Sequence, residues 1–381
     1  MRKSLLAVAV LGAFAGSAMA TDVTLYGVVD TGLVYTHSKV KYDGGDSEKK
    51  NTFQMKSGNQ AGSRWGLKGV EDLGNGYKVG FILESGFDSD TGKGKSQFFN
   101  RESSLFVDGG FGRILFGRMG SVNQGTSSTG KIGMISAFGT SYGDFANNAV
   151  GVFMAGKSLP NMITYQSPKF AGVQIHAQYA MSDDSGDGAS ENKARKTNRY
   201  AALAATYNYG ALNLYGAVDA TDYEHEAHSK HHTASTYTLG GNYDFGVLKL
   251  FGGVQYFDEV YAGNFKGAFK DEGIFGEYDR VKGWGVQLSA SMPVAGGTLL
   301  AGVGYMDGKK AKSDEEYYSK NDISRIRATV GYSYPLSKRT NVYAAAGFGK
   351  DENKYTFKGD SGTTKNKVDY ATAFVGLRHN F

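Results

Sequence analysis

What most constrains this chain is a period of two that returns along its whole length. In Val173-Ile175-Ala177-Tyr179 the apolar residues alternate with Gln174, His176 and Gln178. The same period runs through Val23-Leu25-Gly27-Val29, Leu248-Leu250-Gly252-Val254-Tyr256, Leu299-Ala301-Val303-Tyr305 and Ile326-Ala328-Val330-Tyr332. Strict alternation gives a strand one apolar and one polar face. No stretch beyond the first twenty residues carries a convincing helical period. A soluble sandwich buries its apolar face in a core and shows more bulky apolar residues. Here the second face carries Gln, Asn, Asp, Arg and Tyr on strand after strand, as a water-filled interior requires.

The connections alternate in length. Short turns are expected at 72–76, 108–112, 167–169, 209–210, 244–246, 293–297 and 335–338. Between them fall long polar connections near 38–50, 88–97, 119–158, 182–196, 222–233, 258–280, 308–320 and 350–368. Seven turns and eight loops join sixteen strands in one antiparallel meander, an all-β chain closed into a barrel. Sixteen strands leave an aqueous channel. Short turns at one end and long loops at the other are the pattern of a transmembrane barrel of the outer-membrane type.

The N-terminus and the composition agree with that reading. Met1-Arg2-Lys3, an apolar run from Leu5 to Ala15 and Ala18-Met19-Ala20 have the three parts of a secretory signal peptide. The apolar run is shorter than the roughly 20 residues a spanning helix needs. Residues 1–20 are read as the signal peptide and 21–381 as the barrel domain, beginning at Thr21. The 55 glycines, 25 tyrosines and 23 phenylalanines suit many strands, tight turns and aromatic girdles. The absence of cysteine excludes a disulfide scaffold and thiolate metal sites. The net charge of +5 falls to +3 without Arg2 and Lys3, and no basic block points to nucleic acid.

Five blocks, in order, carry a family resemblance: Val23 to Asp30 (VTLYGVVD), Ser63 to Gly74 (SRWGLKGVEDLG), Asn161 to Pro168 (NMITYQSP), Tyr334 to Thr340 (YPLSKRT) and Gly376 to Phe381 (GLRHNF). Together they resemble the general diffusion porins of Gram-negative outer membranes over the length of the mature chain. The resemblance implies a homotrimer of sixteen-stranded barrels, a third loop folded into each pore as a constriction, and a terminal Phe381 read by the barrel-assembly machinery. The connection at 119–158 is third and longest, which suits the constricting loop.

The chemistry of such a pore is electrostatic. Alternation turns Arg64 and Lys68 inward, opposite Trp65 and Leu67, and places Glu84 inward because Phe81, Leu83 and Phe87 face out. Arg101 is inward if Phe106 faces lipid and outward if Leu105 and Val107 do. The inward register is adopted, since a lipid-facing arginine at mid-depth costs about 2–4 kcal/mol. The resemblance also puts Arg64 and Arg101 at wall-arginine positions and Glu84 at the wall acid. Arg325 and Arg327 share an inward parity. Asp144, the single acid between Asp108 and Asp183, is the candidate loop-side charge, with Lys131 and Lys157 on either side. The family's third wall arginine before Asn161 is missing, and Lys157 is its candidate substitute.

Two loops resemble metal sites. His225, His228, His231 and His232, with Glu224 and Glu226, form a tract that an exposed loop more often carries without a fixed ion. Asp183-Ser185-Asp187-Gly188 opens like a calcium loop, but its twelfth position is Ala194 rather than Glu. Thr91 to Lys95 is glycine-rich but lacks the following helix that a phosphate loop needs. Neither metal nor other cofactor is expected.

The expected function is passive diffusion of ions and small hydrophilic solutes through the outer membrane, with a weak preference for anions. The expected partners are outer-membrane lipids and further copies of the chain. A substrate-selective channel would need an aromatic track or a dense lysine ladder in the lumen, and the assigned inward residues show neither. A barrel hydrolase would need a nucleophile beside a histidine, whereas His37, His176 and His379 are dispersed and lack such company.

Overall fold

The computed structural model describes residues 22–125, 127–140, 142, 151–182, 197–223, 231–261, 280–311, 318–357, 359 and 361–381. Among the described residues seventeen strands follow one another: β1 (Thr24–Lys41), β2 (Ser47–Ser57), β3 (Arg64–Gly74), β4 (Tyr77–Gly86), β5 (Glu102–Gly109), β6 (Gly112–Gly120), β7 (Ser158–Gln166), β8 (Val173–Ala180) and β9 (Arg199–Tyr209). After them come β10 (Leu212–Tyr223), β11 (His232–Asp244), β12 (Lys249–Tyr261), β13 (Arg280–Val294), β14 (Gly297–Lys310), β15 (Tyr318–Pro335), β16 (Thr340–Phe357) and β17 (Thr364–Asn380).

Both β2 and β3 pair with β1, so they are two halves of one strand interrupted at 58–63, and the barrel has sixteen staves. Closure is made by β1 against β17, from Val28 opposite Asn380 to Lys41 opposite Lys367. At the seam Gly27 and Phe381 exchange both backbone hydrogen bonds at 3.1 Å. A closed ladder leaves no edge, the condition for strands to cross a bilayer.

All seven expected turns join neighbouring strands. Between β3 and β4 the turn is Asn75-Gly76, with φ of 53° and 81°. Both residues are left-handed, as the two-residue turn that matches strand twist demands. The long connections differ in extent. Most of 38–50 and 350–368 is strand: β1 and β2 stop at Lys41 and resume at Ser47, while β16 and β17 leave only 358–363 between them. These strands outrun the 9–11 residues a membrane needs, and their far ends carry charge on both faces.

The chain is apolar outside and polar inside. Leu25, Val29, Ile175, Tyr179, Val254, Val303, Ile326 and Val330 are exposed, while His176, Gln178, Gln255, Gln287, Arg325 and Thr329 are buried. Every alternating segment singled out in the sequence turns its apolar side outward. No helix among the described residues is long and apolar enough to cross a membrane; the strands cross it.

Candidate pore constriction

The inward polar face is largely occupied by the segment between β6 and β7, the third long loop. It enters the barrel rather than leaving it. Near its start, Glu102 on β5 accepts hydrogen bonds from the Ser128 backbone N–H at 3.0 Å and its hydroxyl at 2.7 Å. Gln178 on β8 accepts from the Val122 N–H at 2.8 Å. Asn123 reaches β10 and β11, donating to Asp219 and, at 3.1 Å, to the Thr236 hydroxyl. A single 3-10 turn, Ile132–Ile135, then packs on the wall. A Cβ on Gly240 or Gly253 would come within 2.7 or 2.9 Å of Ile135, so these glycines let the turn lie flat against the wall.

Farther along, Asn242 on β11 donates to the Met134 carbonyl, Gln287 on β13 donates to that of Ile135, and Ser289 accepts from the Ala137 N–H. Tyr142 accepts from Gln60 at 2.7 Å, tying the loop to the interruption between β2 and β3. That interruption is held by Asp30, whose carboxylate accepts the Gln60 and Ala61 N–H groups at 2.9 and 2.6 Å and the Tyr343 hydroxyl. On the return leg Gln255 accepts from the Met154 N–H. The loop thus spans the lumen, fastened on several sides by buried side chains that the sequence did not identify as functional.

Beside the Glu102 and Gln60 anchors stands a basic cluster. Arg64 on β3 and Arg101 just before β5 share Glu84 on β4, at 3.4 Å and 2.5 Å. The Arg101 N–H also donates to the Glu84 carbonyl. Arg378 on β17 lies opposite Asp30 while Arg64 lies opposite Val28, so the two arginines flank β1 at adjacent inward positions and repel each other. Lys68, two inward positions beyond Arg64 toward the turns, is exposed and sits over the Tyr26 ring at 5.4 Å. Glu102, the other inward acid here, is spent on the loop. Arg378 is the residue the sequence reading missed; its parity with the inward Thr372 and Phe374 would have found it.

Three expectations need correction. The β5 register is the reverse of the one adopted: Leu105 is 53% exposed and Phe106 3%. Arg101 still meets Glu84 because it precedes the strand and is free of its parity. Arg325 and Arg327 face inward but are not in open water, at 1% and 0% exposure. Asp351 on β16 binds Arg325 through both oxygens, at 2.9 and 3.0 Å, and Arg327 at 2.9 Å. Arg325 also donates to the Gly151 carbonyl at 2.7 Å. This pair therefore clamps the returning leg of the loop instead of lining the constriction.

Lys157 is exposed at the point of return, next to Ser158, whose hydroxyl donates to the Arg101 carbonyl at 2.9 Å. Lys131 is half-buried beside the 3-10 turn; desolvation, and secondarily Lys169, hold its pKa below the usual lysine value. Asp144, His225, His228, Glu224, Glu226 and Asp183 to Ala194 lie outside the described residues. His231 pairs with Asp222 at 2.9 Å, and His232 stacks on Tyr223 with ring centroids 4.9 Å apart.

A family model described as Gram-negative porin matches residues 7–354. An outer membrane porin protein of Bordetella pertussis is 33% identical, with all of both chains covered. The major outer membrane protein P.IB of Neisseria meningitidis is 31% identical over the same full coverage. Among solved structures, an anion-selective porin from Comamonas acidovorans superposes with a TM-score of 0.64 at 26% identity, covering 94% of this chain and 99% of that one. The trimer form of OmpT from Vibrio cholerae shares the fold, with a TM-score of 0.57 at 16% identity over 94% and 99% of the two chains. A sixteen-stave barrel, apolar without and polar within, with its third long loop fastened inside, belongs to the Gram-negative porin family and is an outer-membrane channel.

Proposed function

We propose that the protein conducts ions and small hydrophilic solutes by passive diffusion with a weak preference for anions, and that it has no enzymatic activity. The observation that carries this reading is the row of inward cations Arg64, Arg101, Arg378 and Lys68, against which Glu84 is buried between Arg64 and Arg101. The similar porin from Comamonas acidovorans is described as anion-selective, which supports the same sign. Lys131 and Lys157 on the loop add to it. Because the lumen is wet, one or two surplus charges bias ion flow without excluding cations. No lysine ladder lines the inner wall among the described residues, which favours a general channel over a substrate-selective one. In liposome swelling assays the entry rate of neutral sugars should fall smoothly with mass. One sugar entering far faster than its isomers would point to the selective channel.

We further infer that the mature chain runs from Thr21 to Phe381, that Phe381 serves as the signal for the barrel-assembly machinery, and that three copies associate. The three-part N-terminus, the pairing of Phe381 with Gly27 at the seam and the trimer form of the Vibrio cholerae protein support these inferences. Native mass spectrometry in mild detergent should give three times the mass of residues 21–381, and a one-chain mass would refute the trimer.

A further inference from the structure

The alternation in β15 sets Arg325 and Arg327 side by side on the inward face, roughly 7 Å apart along the strand. The ladder gives them different neighbours: Arg325 lies opposite Asp351 and Arg327 opposite Gly349. Because Gly349 has no side chain, the Tyr370 ring from β17 folds across that position, where a Cβ would overlap it. The Arg327 guanidinium lies over the same ring, 4.2 Å from its centroid. One flat face of the group is thereby covered, and its edges are left to find partners.

The two guanidinium groups are unequally satisfied. Each is a planar fork whose Nε and Nη2 N–H groups lie parallel along one edge and suit a single acceptor group. In Arg325 that edge grips both oxygens of Asp351, and Nη1 donates to the Gly151 carbonyl. In Arg327 only Nη1 is engaged, donating to the Ile326 carbonyl at 3.2 Å and to the Asp351 carboxylate at 2.9 Å. Its Nε and Nη2 are buried and meet no acceptor. Among the described residues, two guanidinium groups against one carboxylate leave a surplus positive charge, out of reach of bulk water. A buried charge so placed calls for a counter-charge and for hydrogen-bond partners. There is room for one beside Nε. A Cβ on Gly151 would come 3.3 Å from that nitrogen, with Cγ and Cδ of the same arginine next at 3.5 and 3.7 Å.

We propose that the Nε and Nη2 edge of Arg327 binds one halide ion of chloride size, beneath the returning leg of the third loop. The ligand is an anion because the cluster carries a surplus cation. It is monatomic because the gap left by Gly151 is of methyl size and the Tyr370 ring closes one face. The ion gives Arg327 what the Asp351 oxygens give Arg325, so the carboxylate can stay shared between both groups. It is part of the fastening of the loop, distinct from the ions that pass through the pore. The inference therefore does not depend on the pore's ion preference.

The test uses crystals of the detergent-purified protein transferred from sodium chloride to sodium bromide. Anomalous scattering at the bromine edge should give a peak within hydrogen-bond reach of both Nε and Nη2 of Arg327. Thermal unfolding reads the same site in solution, as the melting temperature in sodium bromide minus that in sodium gluconate at equal ionic strength. A ligand held by the folded state alone raises this difference. It should be a few degrees larger for the wild type than for Arg327→Gln, which removes the donors. Gly151→Ala fills the gap while keeping Arg327 and the carbonyl that Arg325 binds, and should lower the difference in the same way. Cooperative melting shows that a variant has folded, and Gly151→Ala decides the matter if Arg327→Gln does not. No bromine peak at that edge, or the same difference in wild type and folded variants, would overturn the proposal. A peak without the thermal difference would mean an adventitious ion only, and would overturn it equally.

Discussion

Asp351→Asn should turn a quiet channel into a noisy one. The carboxylate is the shared partner of two fully buried guanidinium groups, and one of its oxygens accepts from both. Without it Arg325 and Arg327 face each other uncompensated, and removing one partner of a buried ion pair typically costs about 3–5 kcal/mol. The barrel can withstand this, since its backbone ladder is closed. The weaker element is the returning leg of the third loop, held by the Arg325 bond to the Gly151 carbonyl and by Gln255 against Met154. The leg should detach intermittently, giving rapid flicker in single-channel recordings and a lower unfolding temperature. Arg327→Gln added to Asp351→Asn removes the repulsion and should quieten the channel again. Recordings of Asp351→Asn indistinguishable from wild type would show that the clamp does not hold the loop.

Charge reversal at the basic cluster should move ion preference by the largest step. Arg64→Glu replaces a cation that shares Glu84 with a second anion beside it, a change of two charges. At an effective dielectric near 20, a unit charge 4 Å away is worth about 4 kcal/mol, against about 1 kcal/mol in bulk water. The zero-current potential should therefore shift toward cations, and Arg64→Glu/Arg101→Glu should reverse the preference. Glu84→Gln should shift it the other way. All three shifts should be larger at 0.1 M salt, where the Debye length is about 10 Å, than at 1 M, where it is about 3 Å. Arg325→Gln, buried under the loop, should change noise more than selectivity.

The strands and their outward faces were legible because a membrane barrel writes them with strong contrast. A run such as Ile326-Ala328-Val330 alternating with Arg325, Arg327 and Thr329 allows one register only. In β5 the contrast fails: Leu105, Phe106 and Val107 are all apolar, so parity could not choose, and Phe106 is buried among the wall residues Leu115, Met119 and Met162, with Arg113 over its ring. The loops at 38–50 and 350–368 read as too long because strands that rise above the membrane lose their apolar face and look like coil. Arg64, Lys68 and Glu84 could be placed because they lie on neighbouring strands joined by a short turn. The Asp351 clamp could not, since it joins β15 and β16 to a loop 174 positions away from Arg325 in sequence, a contact no local pattern encodes.

The most direct test is the zero-current potential of the wild-type channel in a planar bilayer under a potassium chloride gradient near 0.1 M. Passive conduction past a surplus of arginine and lysine predicts an ohmic current and a potential whose sign gives chloride a modest preference. A potential favouring potassium, or no conductance without an added substrate, would contradict the account.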